Sequence, residues 1–181
     1  MKVYLLLIVL TAVFCGACSH PAKPPKKGYV LSIDQYSIGQ ARDSILDGKQ
    51  YKFLWVAAEL SNFSSDTLKY MAMSCSWDVI FTFNKKTTFI RGWNCDSNFP
   101  TFSEIAPQKS FTYKIPVLVE KNAITSNYTF KIGMYLFKYR EHGGFREFDN
   151  FLDSRFGISP HSNKTVYKNI IWSNEVTIPQ P

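Results

Sequence analysis

The chain is poor in the residues from which most active sites are built. Its 181 residues include three histidines and four cysteines. The motifs H-E-x-x-H and G-x-S-x-G and a glycine-rich phosphate loop are all missing from the sequence. No spacing therefore indicates a catalytic histidine, a metal or a nucleotide, and we expect no cofactor.

The part of the chain that we expect to fold has only a small excess of positive over negative charge. The net charge is +7, but Lys2, Lys23, Lys26 and Lys27 stand in a first segment of 27 residues that holds no acid. Beyond it, basic and acidic residues alternate along most of the chain. A nucleic-acid groove needs clustered lysine and arginine, so we expect no nucleic-acid partner.

Only one long apolar run occurs, and it lies at the N-terminus. Residues 1–17 carry one positive charge, an apolar run from Val3 to Phe14 and then small residues, which is typical of a secretory signal peptide. A stable membrane-spanning helix needs ~20 apolar residues. The run therefore predicts export rather than a spanning anchor.

The residues Gly16-Ala17-Cys18 resemble the lipobox of bacterial lipoproteins. In that family the cysteine becomes the acylated N-terminus after cleavage, so the resemblance implies palmitate-type lipidation of Cys18 and attachment to a membrane through this lipid. Cys15 stands where the family usually has leucine, and a lipid on Cys15 would place bulky Phe14 at the cleavage point. Ordinary secretion, with Cys18 as a thiol, is the alternative.

Ser19 follows the cysteine where some Gram-negative lipoproteins carry an aspartate that retains them at the inner membrane. The resemblance therefore implies the outer membrane of the cell envelope. Residues 18–27 would form a tether whose prolines and lysines disfavour helix and strand, and which spans up to ~30 Å. We expect a signal peptide at 1–17, the tether at 18–27 and one domain at 28–181.

Cys75 and Cys95 are the two cysteines left in that domain. An exported chain reaches an oxidising compartment, so we expect a disulfide between them. In the chain-entropy model it would stabilise the fold by ~3 kcal/mol. Two buried thiols are the alternative, and no neighbouring histidine or second cysteine pair indicates a metal site.

The domain consists of short runs of β-branched and aromatic residues separated by turn residues. The runs are Tyr29–Tyr36, Tyr51–Ser61, Tyr70–Asn84, Thr87–Trp93, Ser110–Val119, Tyr128–Tyr139 and Thr165–Ile178. Their spacing predicts an all-β fold, a single Ig-like antiparallel β-sandwich of about seven strands with one long, partly helical loop insertion.

Alternation within three runs predicts which side chains face the core. The apolar stripes are Cys75, Trp77, Val79, Phe81 and Phe83; Phe111, Tyr113, Ile115, Val117 and Val119; and Tyr128, Phe130, Ile132, Met134 and Leu136. Pro116 predicts an edge strand or a bulge in the second stripe. Helical patterns occur only in Ser37–Lys49 and Gly144–Phe156.

The stretch Leu54–Tyr113 resembles the Ig-like sandwiches of the proteinase-inhibitor-like, BsuPI-type group and related bacterial lipoprotein domains. The matching residues are Leu60-Ser61-Asn62 at the end of an apolar strand, Ser65 and Leu68 in the turn, Asp78 in the next strand, and Ala106–Ser110 before Phe111 and Tyr113. The resemblance implies the fold more than an activity. A proteinase-inhibitor-like module is one function that it implies.

The connection Arg140–Lys164 is longer than the ~12 to 15 residues beyond which unstructured loops are uncommon. Aromatic residues recur in it near helical spacing and predict a short amphipathic helix. This helix either covers aromatic side chains of the preceding strand as a satellite core, or forms with them an open platform for glycan or peptide. The candidate ligand-binding residues are Tyr135, Phe137, Tyr139, Phe145 and Phe148.

His142 and His161 lie in the same connection, with Glu147, Asp149 and Asp153 between them. A catalytic or metal site there would make the protein an envelope hydrolase, whereas solvated loop residues are the simpler interpretation. We therefore expect a non-catalytic, lipid-anchored binding or accessory protein of the cell envelope. Its partner, a protein or a glycan, would be engaged through a sheet face or loops.

Lipidation at Cys18 is directly testable. Cells labelled with a palmitate analogue should incorporate it into the wild-type protein and not into Cys18→Ala, because in the lipoproteins that the sequence resembles the cysteine sulfur carries a diacylglycerol and the amino group of the same cysteine becomes the acylated N-terminus. The measurement is in-gel fluorescence of the labelled band, with Cys15→Ala as the matched control. Equal labelling of wild type and Cys18→Ala would contradict the assignment.

Overall fold

Short antiparallel strands make up most of the described chain. The structure is a computed structural model that describes residues 28–35, 38–92, 95, 97–125, 128–139, 144–156 and 169–178. Its strands are β1 (Tyr29–Ile33), β2 (Arg42–Leu46), β3 (Lys49–Asn62), β4 (Leu68–Met73), β5 (Phe81–Phe83), β6 (Thr88–Ile90), β7 (Pro100–Ile105), β8 (Ser110–Glu120), β9 (Thr129–Phe130), β10 (Ile132–Tyr135), β11 (Ile170–Trp172) and β12 (Val176–Thr177). The helix α1 (Gly144–Phe156) and two 3-10 turns, Trp77–Ile80 and Lys121–Ala123, complete this part. Within these ranges no helix is long and apolar enough to span a membrane.

Two layers of antiparallel strands enclose the core. In the first layer, β3 pairs with β8 along one edge and with β1 and β2 along the other, and β6 pairs with the far edge of β8. The second layer contains the ladders β4–β7, β5–β10–β11 and β9–β12. Met71 N–H donates to the Phe137 carbonyl at 2.7 Å, which joins β4 to the chain just after β10. The predicted all-β antiparallel sandwich is confirmed.

Alternation in β3 and β8 fills one side of the core. The side chains that these strands contribute to the core cluster at alternate positions are Leu54, Val56, Ala58, Leu60, Tyr113, Ile115, Val117 and Val119. Phe130, Ile132 and Met134 of the second layer belong to the same cluster. The second and third predicted stripes are thus confirmed except at Phe111, which is half exposed at the end of the ladder.

Residues 38–49 of the segment Ser37–Lys49 are not helical, and the prediction of a possible helix there was wrong. Ser37 lies outside the described residues. Arg42–Leu46 forms β2, which turns into β3 through Asp47 and Gly48 with φ of 49° and 76°. Two consecutive positive φ values are what a two-residue type I′ hairpin requires, and Asp-Gly is a favoured pair for it. The preference of Asp47 and Gly48 for this turn therefore determines the structure of the segment, although the spacing of its apolar residues is weakly helical.

The run Tyr70–Asn84 is not one strand. It divides into β4, the 3-10 turn Trp77–Ile80 and β5, so the first predicted stripe does not lie on one face, and Asp78 lies in the turn rather than in a strand. The strand β7, which begins at a proline and alternates weakly, was not predicted. These splits and additions are why the described part holds twelve strands instead of about seven.

Pro116 lies in β8 between β3 and β6, next to the residue where the β6 ladder ends. Its carbonyl accepts from Arg91 N–H at 2.9 Å, just beyond the end of the β6 ladder at Ile90–Val117. In an antiparallel strand the N–H and carbonyl of one residue point to the same side. The missing N–H therefore faces the place where β6 ends, which meets the expected edge condition locally.

Cys75 and Cys95 form the predicted disulfide. Their Cα atoms are 6.2 Å apart, within the usual range for such a bond. Cys75 lies between β4 and the first 3-10 turn, and Cys95 lies in the connection between β6 and β7. The bond therefore joins these two connections. The expected pairing is confirmed.

Asn62, at the end of β3, uses every hydrogen-bonding position of its buried side chain. Its Nδ2 donates to the carbonyls of Asp66 and Ile105 at 2.8 and 2.9 Å. Its Oδ1 accepts from the N–H and the hydroxyl of Ser64 at 3.0 and 2.6 Å. The residue thus holds the β3–β4 turn against the end of β7, and it gives a physical role to an asparagine that the family resemblance singled out.

Replacing Asn62 with alanine should destabilise the domain by ~3 kcal/mol, because the change leaves buried backbone groups without partners. The free energy of unfolding in urea measures this. Asn84→Ala is the matched control: its Oδ1 accepts one exposed bond from Lys131 N–H at 2.7 Å, and its loss should cost no more than ~1 kcal/mol. Equal losses in both variants would contradict the role of Asn62.

Candidate binding site

Helix α1 packs its aromatic face against the strand that precedes it. Phe148 is fully buried and Phe151 nearly so. The Phe137 ring lies 5.2 Å from the Phe148 ring and 4.7 Å from the Phe151 ring, and the Tyr135 ring lies 4.9 Å from that of Phe151. At these separations the rings form one packed cluster, so the helix is part of the domain core.

Among the five predicted ligand-binding residues only Phe145 is exposed, and Tyr139 is half-buried. Phe137 and Phe148 are enclosed, and Tyr135 is half-buried against α1. Phe145 is 49% exposed, and its ring lies 6.2 Å from that of Tyr139. The structure thus has the helix covering the strand, and Phe137 and Phe148 offer no open face to a ligand.

The residues of the hydrolase alternative are only partly described. His142 and His161 lie outside the described residues, whereas Glu147, Asp149 and Asp153 lie on α1. In the part of the chain that the structure describes, no group of three or more His, Cys, Asp and Glu side chains could hold a metal ion. The hydrolase site stays a prediction.

Three titratable side chains of the described part, Asp78, Tyr70 and Tyr113, have buried polar atoms. Asp78 Oδ1 is buried without a hydrogen-bond partner, and burial raises the pKa of this carboxyl against the opposing effects of its own backbone and Arg155. The hydroxyls of Tyr70 and Tyr113 share a 2.5 Å hydrogen bond, and burial raises the pKa of both. None of these groups lines the groove between β1 and β11, so they belong to the packing of the domain.

A groove of about 720 Å³ opens between β1 and β11. Its walls consist of residues 28–31, residues 169–172, Leu136, Lys138 and Glu147. The Lys138 ammonium lies 4.3 Å from the centre of the Tyr29 ring, a cation–π contact that places a positive charge in the groove.

Side chains from both faces of the two strands line this groove. Leu31 is in the core and Ile171 packs on it, whereas Val30 and Trp172 are one residue away and point to the opposite face. Such a mixture marks a gap between two strand edges rather than a pit in one sheet face. Gly133 lets the Trp172 indole lie close over β10, since an added Cβ would come within 2.9 Å of the ring.

Two side-chain amides close one end of the gap. Asn174 Oδ1 accepts from Ile33 N–H at 2.8 Å, and Asn174 Nδ2 donates to the Ile33 carbonyl at 2.9 Å. Gln35 Nε2 likewise donates to the Thr177 carbonyl at 2.6 Å, and Gln35 Oε1 accepts from Thr177 N–H at 3.1 Å. A carboxamide carries the donor and acceptor of a peptide group, so each side chain takes the place of a neighbouring strand.

Sequence reasoning did not find this groove. Its two walls are far apart in the chain, and neither Asn174 nor Gln35 stands in a motif that distinguishes it from other polar residues. Comparison with protein-family models, with curated proteins and with solved structures gave no match. The interpretation of the groove therefore depends on its own residues.

Phe148→Ala should destabilise the domain by ~3 kcal/mol or more, because a fully buried aromatic side chain is lost and a cavity remains. Thermal unfolding measures the loss. Phe145→Ala, in which a half-exposed ring is lost from the same helix, is the matched control and should cost less than ~1 kcal/mol. An unchanged melting temperature in Phe148→Ala would instead favour an open aromatic platform.

Proposed function

We propose that this protein is a lipid-anchored, non-catalytic accessory protein of the cell envelope that binds a protein partner through the groove between β1 and β11. The groove is the observation that carries the proposal. The signal peptide, the lipobox-like Cys18 and the tether 18–27 support the envelope location. The hydrolase alternative depends on His142 and His161, and the proteinase-inhibitor alternative on the family resemblance alone.

The composition of the groove favours a protein over a glycan. Ile170, Ile171 and Leu136 give it apolar walls, and Trp172 and Lys138 give it one aromatic and one charged group. Binding sites for proteins combine apolar contact area with a few polar groups in this way. A glycan platform needs exposed aromatic faces, and of the five aromatic rings predicted for that role Phe137 and Phe148 are buried and only Phe145 is exposed.

The groove also lies close to the proposed lipid along the chain. Gly28 lines the groove and directly follows the tether. At ~3.1 Å per residue for an extended tether, the groove stands within ~30 Å of the bilayer. A partner that is itself membrane-bound, or that passes close to the membrane, fits this placement.

Site-specific photo-crosslinking in living cells tests the proposal. A benzophenone amino acid at Trp172, in the full-length chain, should give one discrete adduct with an envelope protein. The same amino acid at Ile45, which is 74% exposed on β2 and outside the groove, is the matched control and should not. An identical adduct pattern from both positions, or none from Trp172, would contradict a partner in the groove.

A further inference from the structure

The outer face of the first layer carries aromatic side chains that point away from the core. Since Leu54 and Val56 of β3 belong to the core cluster, Phe53 and Trp55 point to the opposite face of the sheet. Trp55 is 45% exposed, Phe53 is half-buried, and their rings lie 5.5 Å apart. This layer therefore presents an indole ring to the solvent on the side away from the second layer.

The ladders determine which side chains lie beside these two rings. Phe53 is paired with Leu118 of β8, which is paired in turn with Phe89 of β6, and directly opposite residues of a sheet share one face. Trp55 is likewise opposite Pro116. Leu118 and Pro116 are buried and Phe89 is half-buried. These five residues form one surface, the aromatic face, in which the rings project and the aliphatic groups are covered.

Three cationic side chains, the cationic rim, surround the aromatic face. Arg42 of β2 is directly opposite Phe53. Arg91 N–H donates to the Pro116 carbonyl at 2.9 Å, which places Arg91 opposite that residue. Lys114 is two positions before Pro116 in β8 and so points the same way. All three are exposed, and the two arginines are three strand spacings apart across the sheet, about 14 Å.

The cationic rim is not neutralised within the described part of the chain. None of the ion pairs between the described residues involves a member of the rim. Two acids point to the same face but lie beyond the rings at either end: Glu59 accepts from the Ser61 hydroxyl at 3.1 Å, and Glu120 is opposite Tyr51. The centre of the face thus combines an exposed ring with uncompensated positive charge, which an anionic ligand complements.

The position of the rings in the middle of the sheet disfavours a peptide as that ligand. At Phe53 both edges of β3 are paired, and at Trp55 the main-chain carbonyl accepts from Gly39 N–H at 3.0 Å. A peptide lying flat on this face would therefore leave its own main-chain groups without partners. A sugar ring has C–H groups on its faces and hydroxyls around its edge. It can stack on the electron-rich face of an indole while its hydroxyls stay hydrated.

A bilayer is the other anionic surface near a lipid-anchored protein. Its binding strength depends on the apolar area that a protein buries in it. On this face Leu118 and Pro116 are already covered, and Phe53 and Phe89 are half-buried. One projecting indole offers little area to acyl chains but is enough for one sugar ring. The arginine side chains match the carboxylates or phosphates of neighbouring sugars.

Single-stranded nucleic acid also combines rings with negative charge. Its backbone carries a charge at every nucleotide, so a strand crossing the aromatic face along β3 would meet Glu59 at one end and Glu120 at the other. A polysaccharide that bears charge on only some of its sugars avoids this repulsion. The arrangement of the charges therefore favours a glycan.

We propose that the aromatic face and its cationic rim form a second binding site, which takes an anionic polysaccharide of the cell envelope. Trp55 stacks on one sugar ring, and Arg42 and Arg91 bind carboxylates or phosphates on the sugars to either side. None of these residues lines the groove between β1 and β11. The inference therefore goes beyond the proposed function and takes from it only the envelope location.

A glycan array tests the proposal. The full-length chain in detergent is applied to oligosaccharides that carry uronic acids, phosphates or no charge. Charged oligosaccharides should bind and neutral ones should not, because the rim needs anions. The methyl ester of a bound uronic acid ligand keeps the sugar rings and removes the charges, and it should bind at least ~tenfold more weakly. Added salt should weaken binding of the acid form.

Replacement of the indole tests the stacking. Trp55→Ala should weaken binding of the best array ligand about tenfold, as measured by isothermal titration calorimetry, and Trp55→Phe should retain most of the affinity. Phe102→Ala is the matched control, because its ring is exposed to 50% but belongs to β7 of the other layer. It should bind like the wild type. Unchanged melting temperatures show that the variants fold.

Removal of the charges is an independent arm that leaves the core intact. Arg42→Gln and Arg91→Gln should each weaken binding about tenfold, and the double variant should bind the acid and its methyl ester equally. Arg146→Gln removes the same charge from an exposed position on α1 and is the matched control. Because these side chains are exposed, this arm decides the question even where Trp55→Ala fails to fold.

Several results would overturn the inference. Among them are an array with no charged ligand bound, equal binding of acid and methyl ester by the wild type, and tighter binding of single-stranded DNA or polyglutamate than of any glycan. In vesicles of phosphatidylethanolamine and phosphatidylglycerol, quenching of tryptophan fluorescence by brominated lipid that Trp55→Phe abolishes would assign the face to the bilayer instead. The Trp172 crosslink reports on the groove alone, so either proposal can fail without the other.

Discussion

The ladder between β3 and β8 is the interaction on which the rest of the domain depends. β3 has 14 residues, whereas β1 and β2 have five each, so one edge of β3 is occupied by two short strands in succession and the other by β8. The inward side chains of this pair form one wall of the core. Because β1 pairs only with β3 in the described part, its second edge is left to face β11 across the groove.

The parts of the fold that could be predicted from the sequence are those where one face is buried along several residues. β8 and the segment 128–136 alternate because one face meets the core, and α1 repeats its aromatic residues near every third or fourth position for the same reason. β2 and β7 could not be found this way, because β2 is mostly exposed and β7 begins at Pro100. In both cases hydrogen bonds to a neighbouring strand determine the structure, and residue spacing does not record them.

The candidate site could not be predicted from the sequence for a related reason. The aromatic residues of α1 were recognised, but their spacing is the same whether they cover a strand or face the solvent, and only the packing of Phe148 and Phe151 on Phe137 distinguishes the two. The groove depends on Ile33 and Asn174, which are 141 positions apart. No local pattern marks an asparagine whose side chain replaces a peptide group of a missing strand.

The Asn174 side-chain amide also limits how the open edges of β1 and β11 can pair with another strand. A long unpaired edge is prone to pair with another copy of the chain. Asn174 shortens the open edge of β1 by satisfying Ile33, and Gln35 satisfies Thr177 of β12. What is left, from Tyr29 to Leu31 and from Ile170 to Trp172, is too short to hold a copy through one edge alone, because a single short ladder is marginal in water. The Asn174 carboxamide therefore limits the length over which another chain could pair with β1, and it does so without a further strand.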